Sequence, residues 1–160
     1  MTKDAKADFW DRVDTVQAGM LGLAENSKLV PMSPTLRKAR DGKIWFIAAK
    51  GEEIVDNTAA ASKDARFVIA DAKSGLYANV EGQLAHVNDK AILDELWNAV
   101  AAAWFDDGKE DPDVQLLCLT PRMAGCWFST TSGVKFIYEI AKANITGAEP
   151  DQGYQADLTF

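Results

Sequence analysis

Ile44-Trp45-Phe46-Ile47-Ala48-Ala49 decides the reading of this chain. The run is entered through Arg40-Asp41-Gly42-Lys43 and left through Lys50-Gly51. A short apolar run between such breakers suits a strand better than a helix. Because it is apolar at every position, both of its faces should be buried, so it is read as a central strand. Asp41-Gly42 is a two-residue hairpin signal at its start.

Upstream, residues 29–36 read as an extended segment containing Pro31 and Pro34. Proline cannot donate to a ladder, so this segment should be an edge strand or be interrupted there. Residues 25–28 form a turn and residues 20–24 a short strand. Residues 4–17 read as a helix, with Phe9, Val13 and Val16 on one stripe. Downstream, residues 52–61 are a short helix, with Glu52 and Glu53 at the end where its dipole favours acids. Residues 65–70 are a strand, residues 72–75 a turn, and residues 76–87 a long strand with Gly82 as a bulge or bend. Asn88 is placed as N-cap of a helix over residues 89–105, whose stripe is Ile92, Leu93, Leu96, Trp97, Val100 and Trp104. An acidic loop spans residues 106–113. Residues 114–120 and 125–130 read as two strands joined at Pro121-Arg122-Met123, and residues 134–145 as a last helix.

Strands that follow one another through short turns argue for an antiparallel sheet closed into a barrel, with helices at its periphery. The expected class is mainly β within α+β, as a single domain over residues 1–160. Its core covers residues 8–150, and residues 150–160 are a polar tail.

Composition narrows the functions. The 160 residues carry a formal net charge of −7, which repels a phosphate backbone and argues against nucleic-acid binding. No apolar stretch approaches the ~20 residues of a membrane helix. The start, Met1-Thr2-Lys3-Asp4-Ala5-Lys6-Ala7-Asp8, has no apolar signal segment, so the expected location is cytoplasmic. Cys118 and Cys126 read as reduced, buried thiols, although their eight-residue separation would also suit a pair across a hairpin. No glycine-rich phosphate loop of the dinucleotide or nucleoside-triphosphate type occurs. His86 is the one histidine, which removes multi-histidine metal sites and makes a Ser-His-Asp hydrolase improbable. It reads as a strand-surface or hydrogen-bonded histidine, no residue is assigned as catalytic, and any reactivity would come from an organic cofactor. Five tryptophans stand out in so small a chain, and suit a core, an interface or a flat ligand. Trp10, Trp45 and Trp97 fall on apolar stripes or in the buried strand, whereas Trp104 and Trp127 fall at the ends of elements.

Leu96-Trp97-Asn98, Ala103-Trp104-Phe105 and Gly108-Lys109-Glu110-Asp111-Pro112-Asp113, in that order, resemble the helix-and-loop signature of the bacterial general stress proteins. These are a branch of the pyridoxamine 5′-phosphate oxidase-like flavin-binding split barrels. Val30-Pro31-Met32, Ile44-Trp45-Phe46, Leu116-Leu117 with Pro121 and Trp127, Ser132-Gly133, and the helix end through Ile145-Thr146-Gly147 resemble further family segments over residues 8–150. The resemblance implies a six-stranded split barrel and a homodimer holding a flavin, FMN most often with FAD open, in a groove between subunits. Val30, Pro31 and Met32, with Trp45, Phe46, Ile47 and Ala48, would face the isoalloxazine ring, partly through backbone groups. The segment over residues 49–54 would lie at the phosphate. Trp104, Phe105 and Trp127 would come from the partner subunit.

The chain also departs from the family. Leu29 and Val30 stand where relatives carry Ser-Arg, and Ala48 and Ala49 stand where they show Thr and Ser. The family's phosphate lysine is replaced by Glu53 or Ile54, leaving Lys50 as a substitute, with Arg37, Lys38 or Arg40 as further sources of charge. The C-terminal end lacks the Arg and His of true pyridoxamine-phosphate oxidases, so vitamin B6 oxidation is not expected. The resulting expectation is a flavin-binding stress protein, at most a flavin-dependent oxidoreductase. The alternative is a non-enzymatic dimeric barrel that has lost flavin affinity.

Overall fold

A computed structural model describes residues 4–129, 133–147 and 153–160. Helix α1 (Ala5–Val13) is capped by Asp4, whose carboxylate accepts from the amides of Lys6 and Ala7, and it buries Phe9 and Val13. Strands β1 (Gly19–Leu23), β2 (Val30–Met32) and β3 (Ile44–Ala49) precede the short helix α2 (Glu53–Asn57). Then come β4 (Lys63–Asp71), β5 (Leu76–Val87), α3 (Lys90–Leu96), α4 (Ala99–Trp104), a 3-10 turn (Gly108–Glu110), β6 (Val114–Phe128), α5 (Gly133–Thr146) and β7 (Tyr154–Thr159). All strand pairs are antiparallel. The order β2-β1-β4-β5-β6-β3 makes a nearly closed six-strand barrel, and β7 pairs with β6 beside it. Phe46 and Phe67 meet edge-to-face at 5.0 Å in the interior, among Leu21, Ile44, Leu117 and Leu119.

Gly82 marks the expected bulge. The β5–β6 register slips between Glu81 and Gly82, where Gly82 faces Pro121 and Glu81 faces Met123, leaving Arg122 as the extra residue. A Cβ on Gly82 would overlap the Thr120 carbonyl, so only glycine permits this approach. The slip reverses which face of β6 points inward. Leu117 and Leu119 fill the core before it, and Ala124, Cys126 and Phe128 after it. The two strands expected over residues 114–130 are therefore one strand that bends at Pro121.

Other expectations are corrected. β3 is the last strand of the barrel path, not a central one. Its second face is buried because α3 covers it: Trp45, Leu116 and Cys118 pack with Leu96, flanked by Ile92 and Leu93. Apolarity on both faces reports burial and not the number of paired neighbours. Asp41-Gly42 does turn, with Gly42 at φ +73°, but no hairpin ladder follows. The Asp41 carboxylate accepts from the Lys43 amide and from Trp45 Nε1 instead, at 3.1 and 3.0 Å. The helix expected over residues 89–105 is two helices. Asp89, not Asn88, caps the first, and Trp97 leaves the helical region at ψ 134°. Asn98 then caps α4 by accepting from the Ala101 amide at 2.9 Å. Val100 and Trp104 thereby leave the apolar stripe and are exposed, Trp104 at 81%. The polar tail contains β7, which buries Leu158 and seats Phe160 against Phe9 and Trp10. Cys118 and Cys126 are free and buried on one continuous strand, separated by about 25 Å of extended chain, far beyond disulfide reach. Burial raises both thiol pKa values, that of Cys126 to about 11, which disfavours the reactive thiolate form.

Candidate functional site

The barrel is open between β2 and β3. These two end strands touch at one bridge, where Thr35 donates to the Trp45 carbonyl at 2.8 Å and Trp45 donates back to the Thr35 carbonyl at 2.9 Å. Pro31 and Pro34 carry no N–H, so this side of the segment cannot continue a ladder, as the prolines predicted. On β3 the other edge is fully used by β6 over Ile44–Ala49. Backbone groups alternate in direction along a strand, so the N–H and C=O of Ile47 point to the same side as those of Trp45. No strand lies beyond them among the described residues. A buried strand with an unpaired edge normally finds a partner.

Near this seam, a cleft between β1, β2 and α2 is lined by Leu21, Leu23, Lys28, Val30, Glu53 and Ile54. Lys28 Nζ and Glu53 Oε2 form an ion pair of 2.6 Å at the cleft. Lys28 was not singled out in the sequence. Its role depends on the turn over residues 25–28 folding back toward α2, and spacing carries no signal for that. In the turn after β3, the Gly51 amide donates to the Asp56 carboxylate at 3.1 Å, and the Lys50 amide to the Asp113 carbonyl at 2.8 Å. His86, on β5, lies 2.8 Å from the Val55 carbonyl and 3.1 Å from Thr58 Oγ1, so it braces α2 as a hydrogen-bonded histidine.

The sequence-named residues fall into three groups. Val30, Pro31, Met32, Ile47 and Ala48 border the seam, and Lys50 and Glu53 lie at its α2 end. Trp45 and Phe46 belong to the seam strand, but their side chains are buried. Trp45 is held by Asp41 and Phe46 points into the core, and their backbone groups are engaged by Thr35 and by β6 respectively. Trp104, Phe105 and Trp127 are not brought to the seam as a set. Phe105 is buried against Trp97, at 6.0 Å between ring centroids. Trp104 precedes the turn that leads into the Val114 end of β6, whereas Trp127 is at the far end of that strand beside Tyr77. Trp127 is 51% exposed, so it and Trp104 each leave an aromatic ring uncovered, at opposite ends of β6.

Two of the other cations named for the phosphate, Arg37 and Arg40, are engaged elsewhere. Arg37 pairs with Glu95 on α3, and this hydrogen bond lowers the Glu95 pKa. Lys38 adds its amide to the same carboxylate. Arg40 bridges Asp11 and Asp14. Lys50 is exposed and forms no ion pair among the described residues. Among those residues, no group of three His, Cys, Asp or Glu could hold a metal ion, and no helix is long and apolar enough to cross a membrane.

A family described as pyridoxamine 5′-phosphate oxidase like matches residues 4–151. The chain is 45% identical to a solved structure from Jannaschia sp. CCS1, provisionally named general stress protein 26, with 98% of this chain and 99% of that one covered and a TM-score of 0.91. It is 29% identical to a general stress FMN/FAD binding protein from the phytopathogen Xanthomonas citri, covering 82% of this chain and 93% of that one, TM-score 0.72. General stress protein 26 of Bacillus anthracis, 16% identical over 78% of this chain and 94% of that one, shares the fold at a TM-score of 0.62. No curated protein matches the chain.

Proposed function

This chain belongs to the pyridoxamine 5′-phosphate oxidase-like family, and from that membership we propose that it is a flavin-binding general stress protein. The open edge of β3 at Ile47 carries the reading. It offers a free backbone donor and acceptor on a strand whose other edge is paired with β6, and an isoalloxazine edge has the complementary donors and acceptors. The relative from Xanthomonas citri, whose name includes FMN and FAD binding, supports the same ligand class.

The residues present fit the two ends of a flavin unequally. At the ring end, Val30 and Met32 supply apolar wall and Ile47 supplies backbone. At the phosphate end, Glu52, Glu53 and Asp56 cluster around the turn that would hold the anion. A bound flavin would supply hydride and electron transfer, while the protein orients the ring and limits water around it. The functional unit in this reading is a cytoplasmic homodimer. The exposed Trp104 and Trp127 support it, because aromatic side chains are enriched at protein–protein interfaces. Two free, buried thiols suit a reducing compartment.

Titration of the purified protein with FMN and FAD, followed by flavin fluorescence, tests the reading. Saturable quenching is expected. No spectral change at high micromolar flavin would leave the second reading, a non-enzymatic barrel without flavin, which the acid cluster at α2 favours. If flavin binds, oxidation of reduced nicotinamides separates an oxidoreductase from a carrier.

A further inference from the structure

We infer that this site holds a flavin by its ring and takes no affinity from the 5′-phosphate, so a flavin ending in an uncharged polyol binds at least as well as one ending in a phosphate monoester. The inference rests on the flavin reading above. It comes from the charges at the α2 end of the seam.

Three features place an anion there already. The Gly51 amide, with Gly51 at φ +95°, donates to the Asp56 carboxylate at 3.1 Å, so this N–H is already taken by an anion. Glu52 and Glu53 stand directly beside it. Lys28, the cation at the cleft, is cancelled by Glu53 at 2.6 Å. That leaves three carboxylates against two lysines, Lys28 and Lys50, in a chain of net charge −7. A doubly charged phosphate monoester would have to displace Asp56 and compete with Glu53 for Lys28. An uncharged ribityl chain needs neither. Its hydroxyls match the amide side chains of Asn26 and Asn57, which also line the cleft, and Leu21, Leu23, Val30 and Ile54 supply an apolar wall.

Parallel fluorescence titrations with riboflavin and with FMN, at low and high salt, test this directly. The expected result is that riboflavin binds as tightly as FMN or more tightly, and that salt improves FMN binding relative to riboflavin by screening the carboxylates. Glu53→Gln is an exposed change that frees Lys28. It should raise the affinity for FMN relative to riboflavin about three- to tenfold. Asp56→Asn, which keeps an oxygen for the Gly51 amide, should shift the ratio in the same direction. FMN binding tenfold tighter than riboflavin in the unaltered protein would overturn the inference and leave the flavin reading standing. So would riboflavin binding with an FMN ratio that neither variant moves. Failure of both ligands to bind would overturn the flavin reading and this inference with it.

Discussion

The barrel has two contrasting regions, the seam between β2 and β3 and the clasp between α1 and β7. At the second, nearly every polar group is engaged. Arg12 donates to Asp8 at 2.9 Å and to the carbonyls of Ser74, Gly75 and Ser129 at 3.1, 3.0 and 2.8 Å, and lies over the Phe128 ring. Tyr154 of β7 donates to the other Asp8 oxygen at 2.6 Å and stacks on Phe128 at 4.6 Å. The Phe160 amide donates to the Arg122 carbonyl at the bulge, so the irregularity in β6 receives the end of the chain. The seam has one bridge, two prolines and an exposed ion pair. Bonding is concentrated where the ladder is completed, and free backbone groups are left where it is not.

If this contrast holds, charge removal should cost most at the clasp and least at the seam. Arg12→Ala leaves Asp8 and three carbonyls without their shared donor in a largely buried setting. It should destabilise the protein by about 3 kcal/mol. Thermal unfolding would then show a Tm lower by roughly 6–12 °C. Tyr154→Phe loses one charge-assisted hydrogen bond, an expected cost of about 1.5 kcal/mol in denaturant unfolding. Burial, and then the bond to Asp8, raise the Tyr154 pKa above its ordinary value of 10. A raised pKa contributes stability that is complete below the unfolded value and is lost as pH climbs toward the folded one. The unaltered protein should therefore lose stability above about pH 10 more steeply than Tyr154→Phe, as read from unfolding at several alkaline pH values. Lys28→Ala removes an ion pair exposed on both sides and should change stability by less than about 0.5 kcal/mol. A cost at Lys28 equal to that at Arg12 would erase the distinction between the regions.

Much of the barrel could be read from local patterns, because local signals matched tertiary demands there. Gly82 announced the bulge, Pro31 and Pro34 the broken edge, and Phe9 with Val13 the face of α1. Failures came where a distant partner decides the outcome. Trp97 continues an apolar stripe, yet Asn98 caps a new helix and turns Trp104 out to solvent. Tyr154, Ala156 and Leu158 alternate along a strand, but the few apolar residues among polar ones gave no sign that β6 had an open edge to receive them. The seam residues were found from family resemblance, whereas Lys28 and Asp56 depend on chain reversals that no spacing records. Trp104 and Trp127 were grouped by their positions at element ends, and the length of β6 separates them.

The central claim is that the open edge of β3 is the ligand edge. Amide hydrogen exchange with and without saturating riboflavin tests it most directly. The account predicts new protection at Ile47 and its neighbours in β3, with α1 and β7 unchanged. Binding that leaves the Ile47 amide as fast-exchanging as in the free protein, or that protects only the α1–β7 clasp, would contradict it.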